Sequence, residues 1–189
     1  MVRLLLDTTS QYVSLAISKD QNIIFKVFLN AANRISEKLI DIIEQSLNIA
    51  SLQLKNIDEF IVVTGPGSFT GIRVGVSVAQ GVAVSISKPV YGISILDAFA
   101  LADDKKTKKI ALKLRGKEYV CKEYDFTKMV FSDYYTIYEN EITNDIDFIM
   151  YHNIYSCLTN KMLENFKTEP IPFYFKKSEA EIQFDKKSC

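Results

Sequence analysis

Apolar positions change their spacing several times along the first hundred residues, and each change marks an element. Val2 to Leu6 reads as an apolar run, the signature of a central strand. Asp7-Thr8-Thr9-Ser10 then supplies side-chain acceptors that favour a turn. Tyr12 to Ser18 alternates, with Val13, Leu15 and Ile17 on one face and Ser14, Ala16 and Ser18 on the other, which predicts a half-buried strand. After Asp20-Gln21-Asn22, Ile23 to Leu29 predicts a third strand with Ile23, Phe25, Val27 and Leu29 on one face. Three strands joined by short turns form an antiparallel meander. From Asn33 to Ala50 the period becomes helical, with Ile35, Leu39, Ile42, Ile43, Leu47 and Ala50 in one stripe and Asn33 or Ser36 as its cap. Phe60 to Val63 is a short buried strand, and a helix follows it to Ile86. Lys88-Pro89 ends that helix, Val90 to Gly92 is a strand, and Ser94 to Ala102 is a helix.

The order β-β-β-α-β-α-β-α places a meander before two crossovers, hence a mixed five-stranded sheet with helices on its faces. That is the order of the ribonuclease-H-like lobe found in actin, sugar kinases and Hsp70 chaperones. The fold class expected is α/β, an actin-like two-lobe fold. The charged run from Asp103 to Lys109 sets the expected boundary between a first lobe, 1–102, and a smaller second lobe, 103–189. In the second, Ile110–Leu114 and Glu118–Tyr124 read as a hairpin around Arg115-Gly116-Lys117. Asp147–Tyr151 reads as a strand, Tyr155–Phe166 as a helix and Pro170–Phe175 as an extended segment before a polar tail.

The stretch Thr64-Gly65-Pro66-Gly67-Ser68-Phe69-Thr70-Gly71-Ile72-Arg73-Val74-Gly75 organises the chain. Its glycines and proline make a tight turn between strand and helix, and Ser68 or Thr70 can cap the free amides. Such a turn can cradle an anion. It lacks the Lys-Ser/Thr pair of a phosphate loop and the Gly-x-Gly-x-x-Gly spacing of a dinucleotide site. In the helix, Gly71, Gly75, Ala79 and Ala83 form one small-residue row, and Ser77, Gly81 and Ser85 a second. Val74, Val78, Val82 and Ile86 form an apolar stripe, with no charge between Arg73 and Lys88. A helix apolar all round must be covered on more than one side, by its own chain or by another.

Charge narrows the function classes. Basic and acidic residues balance at 23 each, and at eight each within the first 102, so neither half has the excess expected of a stand-alone nucleic-acid binder. Cys121, Cys157 and Cys189 are odd in number and lack metal-type spacing, which fits structural thiols in a reducing compartment. No signal pattern and no membrane-length apolar run is present, so a cytoplasmic location is expected. His152 is the single histidine, too few for a histidine-type metal hydrolase, and reads more simply as a surface or strand-end residue. Lys105 to Lys117 could touch RNA phosphates or be a solvated junction.

Asp7, Thr8, Thr9 and Ser10 occupy the position where actin-like ATPases hold magnesium and phosphate; a polar hairpin turn explains the same residues. A working nucleotide site also needs an Asp-Gly loop at the start of the second lobe and a later glycine-rich adenosine turn. Leu112 to Lys117 contains no Asp, and Gly116 is the last glycine. The phosphate turn is therefore expected to be vestigial, with no cofactor and no metal.

Several stretches together resemble the TsaB (YeaZ) family. They are Leu5-Leu6-Asp7-Thr8-Thr9-Ser10, Ile35-Ser36-Glu37-Lys38-Leu39 with Ile35 where the family has His, Gly65 to Gly75, and Lys88 to Ser94. Arg115 with Glu118-Tyr119, and Pro172-Phe173-Tyr174-Phe175-Lys176 with Lys176 in place of Arg, are weaker matches in a shortened second half. The resemblance implies a non-catalytic scaffold, not an enzyme. It implies pairing with a TsaD-type catalytic subunit and a TsaE-type ATPase, which place threonylcarbamoyl on the adenosine beside the anticodon of tRNAs reading codons that begin with A. It also implies a homodimer when alone, tRNA contact only through the complex, and no membrane. The implied partner surface runs over the two helices and comprises Ile35, Leu39, Ile42, Ser68, Phe69, Thr70, Gly71, Arg73, Val74, Gly75, Val78 and Ala79. The rival readings are an active ATPase or small kinase of the same fold, and a peptidase, for which no base or metal set is present.

Overall fold

The computed structural model describes residues 1–31, 34–114 and 116–175, the side chains of 151–153 excepted. The expectations placed on Asn33, Arg115, Lys176, Cys189 and the His152 side chain lie outside the described residues. The meander is β1 (Val2–Asp7), β2 (Tyr12–Lys19) and β3 (Asn22–Asn30), and β4 (Glu59–Gly65) and β5 (Val90–Ser94) run parallel to β1 in the sheet order β3-β2-β1-β4-β5. On one face, Leu4, Leu6, Val13, Leu15 and Ile17 pack against α1 (Ile35–Ile49) and α2 (Phe69–Ser85). On the other, Leu5, Ala16, Ile61, Val63 and Ile93 pack against α3 (Ile95–Ala100) and the 3-10 segment Tyr151–Thr159.

Three local expectations change here. β2 is buried on both faces, not half-buried: Ser14, Ala16 and Ser18 are as covered as Val13, Leu15 and Ile17, because the 3-10 segment packs over them. Its alternation reports side-chain size rather than solvent. In β3, Ile17 stands opposite Phe25 but Ser18 stands opposite Ile23, so Ile24 is an extra residue. Such a bulge inverts what precedes it, and Ile23 joins the opposite core from Phe25, Val27 and Leu29. Ser36 lies inside the first turn of α1, whose cap position is Arg34 with no side-chain cap bond. The predicted apolar stripe of α1 does face the sheet.

A second sheet follows, of β6 (Thr107–Lys113), β7 (Glu118–Asp125), β8 (Val130–Phe131), β9 (Tyr135–Tyr138) and β10 (Ile146–Phe148). β6 and β7 form the predicted hairpin, β8 and β9 pair with β7, and β10 runs parallel to β6. Thr107, Lys108 and Lys109, read as junction, are strand. The Lys108 ammonium is buried and donates to the carbonyls of Ala100 and, at 3.0 Å, Asp103. A lysine there satisfies the last carbonyls of α3 and suits the negative end of its dipole. α3 is correspondingly shorter than predicted. The basic run also meets acids: Lys105 pairs with Asp147 at 2.8 Å, Lys108 with Asp103 at 2.5 Å and Lys117 with Glu139 at 3.7 Å. These pairs weigh against phosphate binding, and buried Lys108 also departs from a solvated junction.

The predicted helix Tyr155–Phe166 is instead two 3-10 segments, Tyr151–Thr159 and Lys161–Phe166. Asn160 separates them with extended angles, φ −76° and ψ 128°. Its side chain accepts the Met162 amide and donates to the Leu101 carbonyl, both at 2.9 Å, which offers the backbone an alternative to helix. β10 is shorter than predicted for the same stretch, ending at Phe148. Ile110, Leu112 and Val120 of the second sheet share one core with Ile61 and Ile93 of the first.

Candidate functional site

The turn between β4 and α2 packs directly on the end of β1. The Ser68 amide donates to the Thr9 carbonyl at 2.6 Å, and Ser68 Oγ accepts the Gly71 amide at 3.2 Å, so Ser68 rather than exposed Thr70 is the cap. Thr8 Oγ1 donates to the Gly71 carbonyl at 2.7 Å. A Cβ on Gly71 would overlap the Thr8 carbonyl, and one on Gly75 would overlap Thr8 Oγ1. Glycine recurs here because the helix backbone meets the Thr8 carbonyl at Gly71 and the Thr8 side chain at Gly75.

That contact corrects part of the expected partner surface. Gly71, Gly75 and Ala79 are buried against this chain's own β1 and core, and Leu39 is fully buried beneath α1. The small row that includes them packs a helix onto its own sheet. Ile35, Ile42, Val74 and Val78 are half-buried along the helix pair, and Ser68, Thr70 and Arg73 are exposed. The second row is the open one: Ser77, Gly81 and Ser85 face outward, a Cβ added at Gly81 would meet no described residue beyond its own turn of helix within 4 Å, and Val84 is 75% exposed.

Asp7 is wholly buried. Its Oδ1 accepts the Thr9 amide at 2.8 Å, while Oδ2 and Thr9 Oγ1 have no hydrogen-bond partner among the described residues. Burial pushes the Asp7 carboxyl up to about 6, against the pull of the Thr9 amide and its nearby hydroxyl. Ser10 Oγ accepts the Tyr12 amide at 3.1 Å and serves the turn. Among the described residues no three His, Cys, Asp or Glu side chains converge as a metal site.

The C-terminal segment closes over this turn. Thr168 and Gly92 exchange amide bonds at 2.8 and 2.9 Å, Gln80 donates to the Pro170 carbonyl at 3.0 Å, and the Phe173 amide donates to the Thr64 carbonyl at 2.8 Å. Tyr174 stacks on Phe69 at 4.6 Å. The Arg73 guanidinium lies 3.9 Å from the Phe69 ring centre, and its Nε donates to the Tyr174 hydroxyl at 2.9 Å. Phe69 and Arg73 are therefore engaged by their own chain, through a tyrosine not singled out as a site residue.

A second polar centre was not anticipated. Asp97 Oδ1 accepts Lys122 at 2.8 Å and Tyr124 at 2.7 Å, and Oδ2 accepts Ser94 at 2.6 Å and Tyr134 at 3.2 Å. Burial first, then the Asp97 charge, raises both tyrosine hydroxyls well above their usual range. The cluster ties α3 to β7. Only the Ser94–Asp97 spacing was visible in sequence; the other partners lie far along the chain.

The family model that matches is described as TsaD, tRNA N6-adenosine threonylcarbamoyltransferase, and it matches residues 29–130. The tRNA threonylcarbamoyladenosine biosynthesis protein TsaB of Buchnera aphidicola subsp. Schizaphis graminum is 32% identical over 106 residues, 56% of this chain and 50% of that protein. The chain belongs to this family, in its TsaB (YeaZ) branch. TsaB of Escherichia coli strain K12 is 29% identical over 97 residues, 51% of this chain and 42% of its own length. Matches to these curated TsaB relatives thus span half of their length or less. YeaZ from Pseudomonas aeruginosa superposes with a TM-score of 0.72 at 17% identity, over 92% of this chain and 99% of that structure. This likeness carries the fold, and the actin-like arrangement expected from the element order holds. Among the described residues no helix is long and apolar enough to cross a membrane.

Proposed function

We propose that this TsaB-family chain is a non-catalytic, cytoplasmic scaffold in tRNA threonylcarbamoyladenosine biosynthesis. It holds a TsaD-type catalytic subunit through the outward faces of α1 and α2, with a TsaE-type ATPase in the same assembly. The tRNA, modified beside its anticodon where codons begin with A, is met through the complex. Alone, the chain pairs with itself through the same helices.

One observation supports this most. The turn that would hold phosphate is packed shut by Thr8 against Gly71 and Gly75, while α2 keeps an uncharged small-residue row open to a neighbour. Helix pairs approach closely over such rows. Deleting the gene should remove threonylcarbamoyladenosine from tRNA, read by nucleoside mass spectrometry. Asp7→Asn should restore it, and Gly81→Leu should not. If Asp7→Asn fails while folded and partner-bound, the turn has a chemical role and the scaffold reading is wrong.

A further inference from the structure

On the sheet face opposite α1 and α2, a groove of about 490 Å³ runs along the edge of β3, with which no other described strand pairs on that side. Ile24 and Lys26 form its strand side, and Phe99, Ala102 and Tyr155 the opposite side. The bulge at Ile24 leaves that side chain 41% exposed, and Phe28, next but one beyond Lys26, is 38% exposed. The edge thus carries apolar, basic and apolar side chains at every second position, with one face of the Phe28 ring stacked on Tyr12 at 4.6 Å. Asp103, also in the groove, is already engaged: its carboxylate holds the Lys108 ammonium at 2.5 Å and the Lys105 amide at 2.9 Å. Lys26 has no carboxylate partner among the described residues; its ammonium lies 5.9 Å from the Tyr155 ring centre.

Edge strands recruit extended segments through the backbone and select them through alternate side chains. A second copy is a poor occupant, since two-fold pairing centred on β3 would set Lys26 opposite Lys26, and like charges directly opposite destabilise. We propose that this groove takes an extended acidic segment of another protein. The segment adds to β3 as a sixth strand, with a carboxylate against Lys26 and apolar residues two positions to either side. The site is independent of the helix-pair surface, which lies across the sheet.

The probe is a labelled synthetic peptide, Thr-Val-Thr-Glu-Thr-Val-Thr with blocked ends, titrated into the full chain by fluorescence anisotropy. The Glu peptide should bind at least about tenfold more tightly than its Lys counterpart, and Lys26→Glu should reverse the preference. Backbone amide shifts should concentrate at Ile23 to Phe28, and Gly81→Leu should leave binding unchanged. Equal affinity for the two peptides, no binding up to about 1 mM, or a dimer in sedimentation that Lys26→Glu dissolves would each overturn the proposal.

Discussion

Asp7 decides whether the strand-end turn is packed structure or working chemistry. Its carboxyl is pushed from 3.8 to about 6 by burial. Between those two pH values the folded chain holds a proton that the unfolded chain has released. Stability conferred by this group therefore falls as pH rises through that window and stays low above it. At about 1.4 kcal/mol per pH unit, the full loss is about 3 kcal/mol. Asp7→Asn keeps an acceptor for the Thr9 amide and never ionises, so it should not show the decline. Its new amide would enter the space where Oδ2 has no partner, at a cost of about 1–3 kcal/mol if left unpaired. That cost is independent of pH and does not blur the slope.

The assay is urea unfolding of both proteins between about pH 4 and pH 7. Carboxylates such as Asp58 are held below their usual range, by the Val2 amide first, and tilt stability the other way. They do so in both proteins and cancel in the difference. Wild-type stability minus that of the variant should fall by up to about 3 kcal/mol across the range. Parallel curves would refute the reasoning: Asp7 would then be solvated or paired, and its turn open to a cation.

Gly75→Ala should lower the melting temperature, losing about 1–3 kcal/mol from overlap with Thr8 Oγ1. Gly81→Ala, in open space on the same helix, should raise stability by about 0.5–1 kcal/mol. Gly81→Leu should weaken co-purification with a TsaD-type subunit by at least about tenfold without lowering the thermal melt of the isolated chain; a lowered melt with retained binding would point the other way. Lys122→Met should cost roughly 3 kcal/mol in chemical unfolding, because it strands the buried Asp97 charge.

The first sheet was legible because every element in it has its own period and its own punctuation. Pro89 and Ser94 mark ends that the structure keeps. Several misreadings share a cause, which is a partner outside the local pattern. Ser14 and Ser18 look solvent-facing until the segment around Ile154 covers them. Lys108 looks like a surface charge until the end of α3 supplies carbonyls for it. Asn160 divides a helical pattern because Leu101 offers its side chain an acceptor. The Asp97 cluster gathers residues from α3, β7 and the approach to β9, and only the Ser94–Asp97 spacing announces it locally.

The two small-residue rows of α2 show how far such reading extends. Sequence demands a close neighbour for each row but does not say whose backbone it is. Thr8 answers for Gly71 and Gly75, and with it the lack of charge on that side becomes ordinary core packing. No described residue answers in the same way for Gly81. Its neighbours Ser77, Val84 and Ser85 stay open while carrying no charge, next to half-buried Val78 and Val82. A solvated helix face of this length would ordinarily carry Lys or Glu. The helix closes its own turn with one side, and the partner surface proposed above falls on the other, around Gly81 and Val84.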